Sequence, residues 1–251
     1  MKRLAAAILV LAIFSLPSIA TEAKEPVAGS KIRVLLTTGG HDFEKAAFFG
    51  MFDNLPDVRY TKAEMPKDAA LLRPGLEKDY DVLVRYDMAQ GFTHQQEEAF
   101  RELMLKGIGL VALHHNINAQ ANWPEYRKII GGKWSLGDCE IEGRKFHKST
   151  WKHGQEMPVA VVDHQHPITR GLADFTIHDE TYGGYFVSPA VTLLLKTNHP
   201  LNDPQIAWVT HYGNSKVAYL QLGHDSKAWG NPAYPVLLER MIRWAAGRLP
   251  E

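Results

Sequence analysis

Imidazole and carboxylate side chains recur in this sequence just after short apolar segments. Four candidates have this placement: His41, His114, Glu180 and His224. Imidazole titrates near neutral pH and binds divalent metals, so such groups, once brought together, form either an acid–base set or a metal site with an open position. The spacing contains no compact H-x-x-x-H helix motif, so both alternatives remain open. We expect catalytic roles for His114, Glu180 and His224, and metal binding by His41, His114 and His224.

The segment 107–116 (GIGLVALHHN) is the best defined of the elements that must position these groups. Its apolar run does not alternate with polar residues, which is typical of a parallel strand covered on both faces. Thr93 and Gln96 form a capping-box pair at the start of the preceding helix, and Gly107 supplies its left-handed end. Ligands bind at the carboxyl edge of such sheets, so His114 and His115 should face a ligand site.

Strand and helix patterns alternate through the first half of the chain, which predicts an α/β fold with a mostly parallel sheet. Strands are predicted at 32–36, 58–60, 82–84, 108–113, 158–162, 191–195, 206–209 and 217–222. The residues 212–215 have the chemistry of a hairpin between the last two strands, and an amphipathic helix is predicted at 234–246. The segment 133–156 has no clear pattern.

Size and charge limit the classes of protein to which the chain can belong. About 230 of the 251 residues remain after a leader, without a linker or repeat, so one domain is expected. The 28 basic and 28 acidic residues give a net charge of +0 and no electrostatic footprint for nucleic acid. A small molecule is the expected ligand, and the Gly39-Gly40 pair alone is a poor signal for a nucleotide. Cys139 is the only cysteine, and we expect it to pack rather than react.

The first twenty residues have the pattern of a secretory signal peptide. Two basic residues precede the apolar stretch 4–14, and Ser18-Ile19-Ala20 is a small-x-small cleavage site. The apolar run is short for a membrane span of about 20 residues, and Pro17 interrupts it, which favours cleavage over an uncleaved anchor. We expect a signal peptide at 1–20 with cleavage after Ala20, a polar leader at 21–30, and a periplasmic or extracellular protein free of the membrane.

Five stretches of the sequence, taken in order, resemble the trehalose-utilisation (ThuA-like) family. They are TTGGHD at 37–42, GLVALH at 109–114, DHQHPITRGL at 163–172, DETY at 179–182 and LQLGHD at 220–225, the last followed by Trp229. The resemblance extends over residues 32–248 and assigns 31–251 to one ThuA-like domain. It implies a fold similar to that of class I glutamine amidotransferases, a flavodoxin-like three-layer sandwich with a mostly parallel central sheet.

The resemblance also implies a change of chemistry. Amidotransferases of this fold carry a cysteine nucleophile on the sharp turn after the strand that matches 108–113, and here that elbow holds His114. Acyl transfer through a thiol therefore lacks its nucleophile, whereas His224 keeps a place close to that of the amidotransferase histidine. The family resemblance implies carbohydrate catabolism, with 3-keto-glycosides made by a partner sugar dehydrogenase as substrates.

For a 3-keto sugar, the expected chemistry is proton abstraction at C2, which the ketone acidifies, followed by loss of the anomeric substituent. A divalent cation such as Zn²⁺ or Mn²⁺ on the keto oxygen would stabilise the enediolate while a histidine or glutamate takes the proton. This predicts a lyase, hydrolase or isomerase, and the alternative is a non-catalytic carbohydrate-binding or sensing domain. The residues expected to contact the sugar are His115, Asn116, Tyr182, Asp225 and Trp229.

Overall fold

The structure is a computed structural model that describes residues 30–249. The predicted signal peptide at 1–20, and the predicted leader as far as residue 29, lie outside the described residues. None of the helices within 30–249 has both the length and the apolar character that crossing a membrane requires. The described chain is built around one nine-stranded sheet.

The strands, numbered in chain order, form this sheet and two small antiparallel pairs. Across the large sheet the order is β2 (Val58–Glu64), β1 (Ile32–Gly39), β3 (Val82–Asp87), β4 (Gly109–Leu113), β13 (Ser215–Leu220), β12 (Gln205–Tyr212), β11 (Thr192–Thr197), β8 (Thr150–Val161) and β9 (Phe175–Gly183). The small pairs are β5 (Gly132–Lys133) with β10 (Phe186–Val187), and β6 (Cys139–Ile141) with β7 (Arg144–Phe146).

The sheet has two halves that differ in strand direction. β2, β1, β3, β4 and β13 are parallel to one another, as the alternating sequence pattern predicts. β12, β11, β8 and β9 extend the sheet with antiparallel pairs, and β12 joins β13 through the predicted hairpin at 212–215. The predicted α/β class is confirmed, and the sheet is parallel in one half and antiparallel in the other.

Helices cover both faces of the sheet. They are α1 (Lys45–Asp53), α2 (Leu76–Asp79), α3 (His94–Lys106), α4 (Pro124–Ile130), α5 (Ser226–Trp229) and α6 (Ala233–Ala245), with short 3-10 helices at Ala69–Leu71 and His114–Asn118. Val34 and Leu36 of β1 belong to the core that contains α1 and α6, whereas Leu35 belongs to the core that contains α3. Both faces of β1 are therefore buried, which explains why its apolar run does not alternate.

The local predictions around α3 and β4 are confirmed. The Thr93 hydroxyl accepts a hydrogen bond from the Gln96 amide at 3.3 Å, and the Gln96 side chain accepts one from the Thr93 amide at 2.9 Å. Gly107 ends α3 with φ of 97°, in the left-handed region. Every residue of β4 is buried, so the turn that follows this strand starts from a fixed position.

One prediction about the second half of the chain is confirmed in part and another is wrong. The strand predicted at 158–162 is the end of β8, which already begins at Thr150, so the unassigned segment 133–156 contains the end of β5, all of β6 and β7, and the first half of β8. Glu180 lies inside β9 and not after a strand. Charged residues are depleted in strands, so the sequence of the polar stretch 178–180 is typical of a loop. In the structure this stretch is nevertheless extended, as part of β9.

Candidate active site

His114 lies at the turn that ends β4. Its backbone φ is 50°, a left-handed conformation that residues other than glycine adopt rarely, and the residue is only 1% exposed. The ring Nδ1 lies 2.7 Å from the carbonyl oxygen of Gln221. Because a carbonyl oxygen only accepts hydrogen bonds, Nδ1 carries the proton and the neutral ring has its lone pair on Nε2. The elbow therefore fixes both the direction and the tautomer of this imidazole.

Three potential ligand atoms converge in front of His114. Its Nε2 lies 3.1 Å from Oε2 of Glu180 and 3.3 Å from Nδ1 of His224, and the Glu180 and His224 atoms are also 3.3 Å apart. Around a tetrahedral Zn²⁺ with ligand distances of about 2.0–2.1 Å, neighbouring ligand atoms lie about 3.3–3.4 Å apart. The spacing of His114, Glu180 and His224 therefore fits one face of a metal coordination shell.

Asp179 positions both His224 and Glu180. Its carboxylate accepts hydrogen bonds from the amides of Gly223 at 2.7 Å, His224 at 3.0 Å and Glu180 at 2.8 Å. Gly223 has φ of 114°, and a Cβ there would collide with the hydroxyl of Tyr234, so the turn before His224 requires glycine. The sequence analysis assigned no role to Asp179, although the DETY motif at 179–182 contains it.

His153 contacts the second oxygen of Glu180. The His153 Nδ1 lies 2.9 Å from Glu180 Oε1, and its ring centroid is 4.3 Å from that of His224. The His153 side chain is 52% exposed, so it stands between the buried groups and solvent. The sequence analysis gave no role to His153, because it belongs to the part of β8 that has no strand pattern.

Burial and hydrogen bonding act in opposite directions on the ionisation of this group. Burial disfavours the charged form of Glu180, but hydrogen bonds with His114 and His224 outweigh it and hold the pKa of the carboxyl well below 4.5. Burial also disfavours protonated His224, but the hydrogen bond and charge of Glu180 outweigh it and raise the pKa of that imidazole above 6.5. Without a further ligand, Glu180 and His224 therefore form an ion pair at mildly acidic pH.

His41 and His115 form the side of the site nearest β1. Their rings stack with centroids 4.7 Å apart, and the ring of His41 is 6.2 Å from that of His224. Burial, together with the charge of neighbouring histidines, lowers the pKa of both rings below 6.5. The structure thus places His41 beside the site. The ligand atoms of His114 and His224 converge with that of Glu180 and not with that of His41.

Tyr182 is the predicted sugar contact that lies directly at the ligand atoms. Its hydroxyl is 2.8 Å from Nε2 of His114, and the two rings stack with centroids 4.9 Å apart. Burial raises the pKa of Tyr182 well above 10, so its hydroxyl stays protonated and can donate a hydrogen bond.

Three other predicted sugar contacts make hydrogen bonds within the protein. The Asn116 amide accepts from the hydroxyl of Tyr126. Asp225 accepts from two amides at the start of α5, which makes it the cap of that helix. Trp229 is 5% exposed and donates its indole N–H to the carbonyl of Gly223 at 2.9 Å. In this structure Asn116, Asp225 and Trp229 therefore stabilise the loops that carry His114 and His224.

Two remaining sequence features also have structural partners. Asp163, at the start of the 163–172 motif, accepts hydrogen bonds from the amides of Gln165 and His166 and so closes a turn. Cys139 lies in β6, with its Sγ 3.4 Å from the hydroxyl of Ser135.

Comparison with known protein families identifies the family of the chain. The family model described as ThuA, trehalose utilisation, matches residues 33–245. The chain belongs to the ThuA family. The match confirms the resemblance on which the sequence analysis relied, and it includes all of the residues that converge at the site. Among curated proteins, comparison by sequence finds no match.

Solved structures similar to this ThuA-family protein include two bacterial ThuA-like proteins. The one from Parabacteroides merdae has a TM-score of 0.73 at 20% identity, over 88% of this chain and 92% of that chain. The one from Bacteroides uniformis has a TM-score of 0.65 at 22% identity, over 89% and 95%. A β-galactosidase from Bacillus circulans scores 0.55 at 10% identity, and only 32% of that chain is covered. At these identities the likeness shows the fold alone, which is the α/β fold that this chain shares with the two ThuA-like proteins.

Proposed function

We propose that this ThuA-family protein is an enzyme of carbohydrate catabolism that binds one divalent metal ion, Zn²⁺ or Mn²⁺, through His114, Glu180 and His224. The observation that carries the proposal is the triangle of Nε2, Oε2 and Nδ1 atoms with sides of 3.1, 3.3 and 3.3 Å. Two histidines and one glutamate are the protein ligands of several catalytic zinc sites, which leave a fourth position for water or substrate.

The groups behind the three ligands support the same interpretation. Metal-binding histidines usually donate their other ring N–H to a carbonyl or carboxylate, and His114 does so to Gln221. Metal-binding carboxylates are in turn hydrogen-bonded, and the free oxygen of Glu180 contacts His153. Asp179 adds a second buried acidic group beside the ligands, which favours a bound cation.

We propose a 3-keto-glycoside as the substrate, supplied by a sugar dehydrogenase. The link of the family to trehalose utilisation supports a sugar substrate, and the metal-ligand set supports chemistry at a carbonyl group. A divalent cation held by His114, Glu180 and His224 would polarise the 3-keto oxygen and so acidify the proton at C2. Loss of that proton allows the C1–O bond to break, which makes the reaction an elimination or, with added water, a hydrolysis.

His41 and His153 are placed to move the two protons of this reaction. Nδ1 of His41 lies 2.5 Å from the carbonyl oxygen of Asp42 and therefore carries a proton, which leaves the Nε2 lone pair to take the C2 proton. His153, whose ring centroid is 4.3 Å from that of His224, is the candidate donor of a proton to the departing oxygen. The Tyr182 hydroxyl is placed to hydrogen-bond a substrate oxygen at the base of the site.

Metal analysis and turnover of a 3-keto-glycoside test the proposal together. We expect one equivalent of a divalent cation in the parent protein and none in His114→Asn. The matched control is His94→Ala, which removes an exposed histidine from the start of α3 and should keep both metal and turnover. Full turnover after removal of the metal would exclude the metal role. Binding of glycosides with neither metal nor turnover would instead support the non-catalytic carbohydrate-binding domain.

We also propose, from the pattern of residues 1–20, that the protein is exported and processed. The test is N-terminal sequencing of the protein recovered from the periplasmic or extracellular fraction of its host. We expect Thr21 as the first residue, and recovery of a chain that starts at Met1 in the cytoplasmic fraction would overturn the proposal.

A further inference from the structure

Trp151 differs from the other tryptophans in its exposure. All six tryptophans lie within the described residues, and five of them are at most 8% exposed, whereas Trp151 is 59% exposed. A single exposed apolar side chain needs no functional explanation by itself. The surroundings of Trp151 provide two independent observations that point to a ligand.

The first observation is that only the ring of His153 separates Trp151 from the candidate metal ligand His224. Its ring centroid is 4.5 Å from that of His153, which in turn is 4.3 Å from that of His224. Trp151 and His153 are two residues apart in β8, and side chains at this spacing leave a strand on the same side. An aromatic ring therefore stands at the entrance of the site, beside the residue that contacts Glu180.

The second observation is a cavity next to Trp151. It has a volume of about 410 Å³ and is lined by Trp151 and Leu201 together with the polar residues Lys148, Lys152, Asn202 and Asp203. Sites for small molecules have this size, and they combine apolar walls with a few polar groups that fix orientation. Trp151 thus borders both the cavity and the ring of His153.

We propose that Trp151 stacks against a pyranose ring of the substrate, in a subsite formed with this cavity, while the reacting sugar lies at His114, Glu180 and His224. The identity of the neighbouring site rests on the proposed function. One face of a pyranose presents C–H groups that pack on an aromatic ring, and its hydroxyl groups hydrogen-bond to polar side chains at the edge. The combination of Trp151 with a cavity that is lined largely by polar residues fits this chemistry better than it fits an apolar protein surface.

Acrylamide quenching of tryptophan fluorescence tests the subsite in the full protein, because Trp151 is the exposed tryptophan of the described residues. We expect trehalose or cellobiose to lower the quenching constant and sorbitol, which has no ring, to leave it unchanged. Trp151→Ala should weaken disaccharide binding roughly tenfold, the scale of one aromatic stacking contact, whereas Trp151→Phe should retain most of it. Leu105→Ala is the control, since it removes an exposed side chain from the end of α3, before β4 begins.

Metal content, measured on the same samples, separates this inference from the proposed function. Protection of Trp151 by a disaccharide in a protein that binds no metal would support the subsite and contradict the metal enzyme. Normal metal binding with no protection by either disaccharide, or with equal disaccharide affinity in Trp151→Ala, would overturn the subsite alone. Trp151→Ala should keep its metal and its unfolding temperature, because Trp151 lies at the surface.

Discussion

The parallel half of the sheet and its antiparallel edge contribute to the candidate site in different ways. His41, His114 and His224 come from the parallel half, where they lie in the turns after β1, β4 and β13. Glu180 and His153 come from inside β9 and β8 at the antiparallel edge. The turns of the parallel half supply two of the three converging ligand atoms, and the edge strands supply the carboxylate and its partner.

This difference shows that the topology of the sheet positions one part of the site and that the pairing register of the strands positions the other. The carboxyl ends of neighbouring parallel strands meet at one edge of the sheet whatever their sequences, so residues there converge by topology. Residues in the middle of β8 and β9 reach the site only through the pairing register. That register shifts between Lys152 and Gln155, at an irregularity beside His153. Substitutions in the two regions should therefore have different consequences.

Substitution of His114, in the parallel half, should have the largest effect. Both His114→Asn and His114→Ala remove the Nε2 ligand, and we expect turnover of a 3-keto-glycoside to fall by at least about a hundredfold. Both variants also leave the Gln221 carbonyl without its partner, which costs about 1–3 kcal/mol of unfolding free energy. Asparagine tolerates the left-handed backbone better than alanine, so His114→Ala should be the less stable variant by about 1 kcal/mol.

Thermal unfolding and turnover, measured on the same preparations, check both parts of this prediction. The sequence alone suggests an open site in which His114→Ala leaves stability nearly unchanged, but the buried ring and its bond to Gln221 predict a loss. A variant that is destabilised yet fully active would contradict the role of His114 in the chemistry. Equal stability of the two variants would contradict the strain at this turn.

The sequence predicts the parallel half of the site better than its edge. The strand ends, the capping box before β4 and the ordered family motifs locate His41, His114 and His224 from local patterns. Glu180 is found through its motif, although it is placed after a strand instead of within one. Asp179 and His153 receive no role because charged and polar residues in the strands of the antiparallel edge look like a loop, and only the pairing of β8 with β9 gives them a position.

His153→Gln tests the edge and should have a smaller effect than loss of His114. Glutamine keeps a hydrogen-bonding group near Oε1 of Glu180 but cannot reproduce the geometry of the ring. Loss of a partner behind a metal ligand typically costs about 10–100-fold in metal affinity, and we expect the lower part of this range because His153 is half exposed. Metal titration checks the prediction, with Lys152→Gln in the same strand as the control. If His153→Gln lowers metal affinity as much as His114→Asn does, the antiparallel edge contributes as much to metal binding as the parallel half.

The ion pair between Glu180 and His224, which joins the two regions, should make the stability of the metal-free protein depend on pH. The lowered pKa of Glu180 contributes stability that is present above its ordinary 4.5 and is lost as pH falls through the lowered value. The raised pKa of His224 contributes stability that is present below its ordinary 6.5 and is lost as pH rises through the raised value. Both contributions are therefore complete between about pH 4.5 and 6.5.

Unfolding temperatures of the chelated protein measure this dependence. The difference between the parent and Glu180→Gln should be largest near the middle of that window and smaller at alkaline pH, where His224 is neutral. Glu98→Gln, which alters an exposed ion pair with Arg101, should give a small difference without this profile. A parent–Glu180→Gln difference that grows steadily toward alkaline pH would contradict the pairing of Glu180 with His224.

Substitution of Cys139 should have the smallest effect, and it tests whether a thiol takes part at all. Cys139 lies in β6, in a small pair outside the large sheet, and its Sγ contacts the hydroxyl of Ser135. The elbow after β4, where the resemblance to amidotransferases implies that their nucleophile would stand, is occupied by His114. Serine preserves the size of the side chain and a hydrogen bond to Ser135, so Cys139→Ser should keep turnover within about twofold and shift stability by less than about 1 kcal/mol. If the folded variant loses more than about a hundredfold in turnover, the thiol is part of the chemistry, and neither the parallel half nor the edge contains the whole catalytic apparatus.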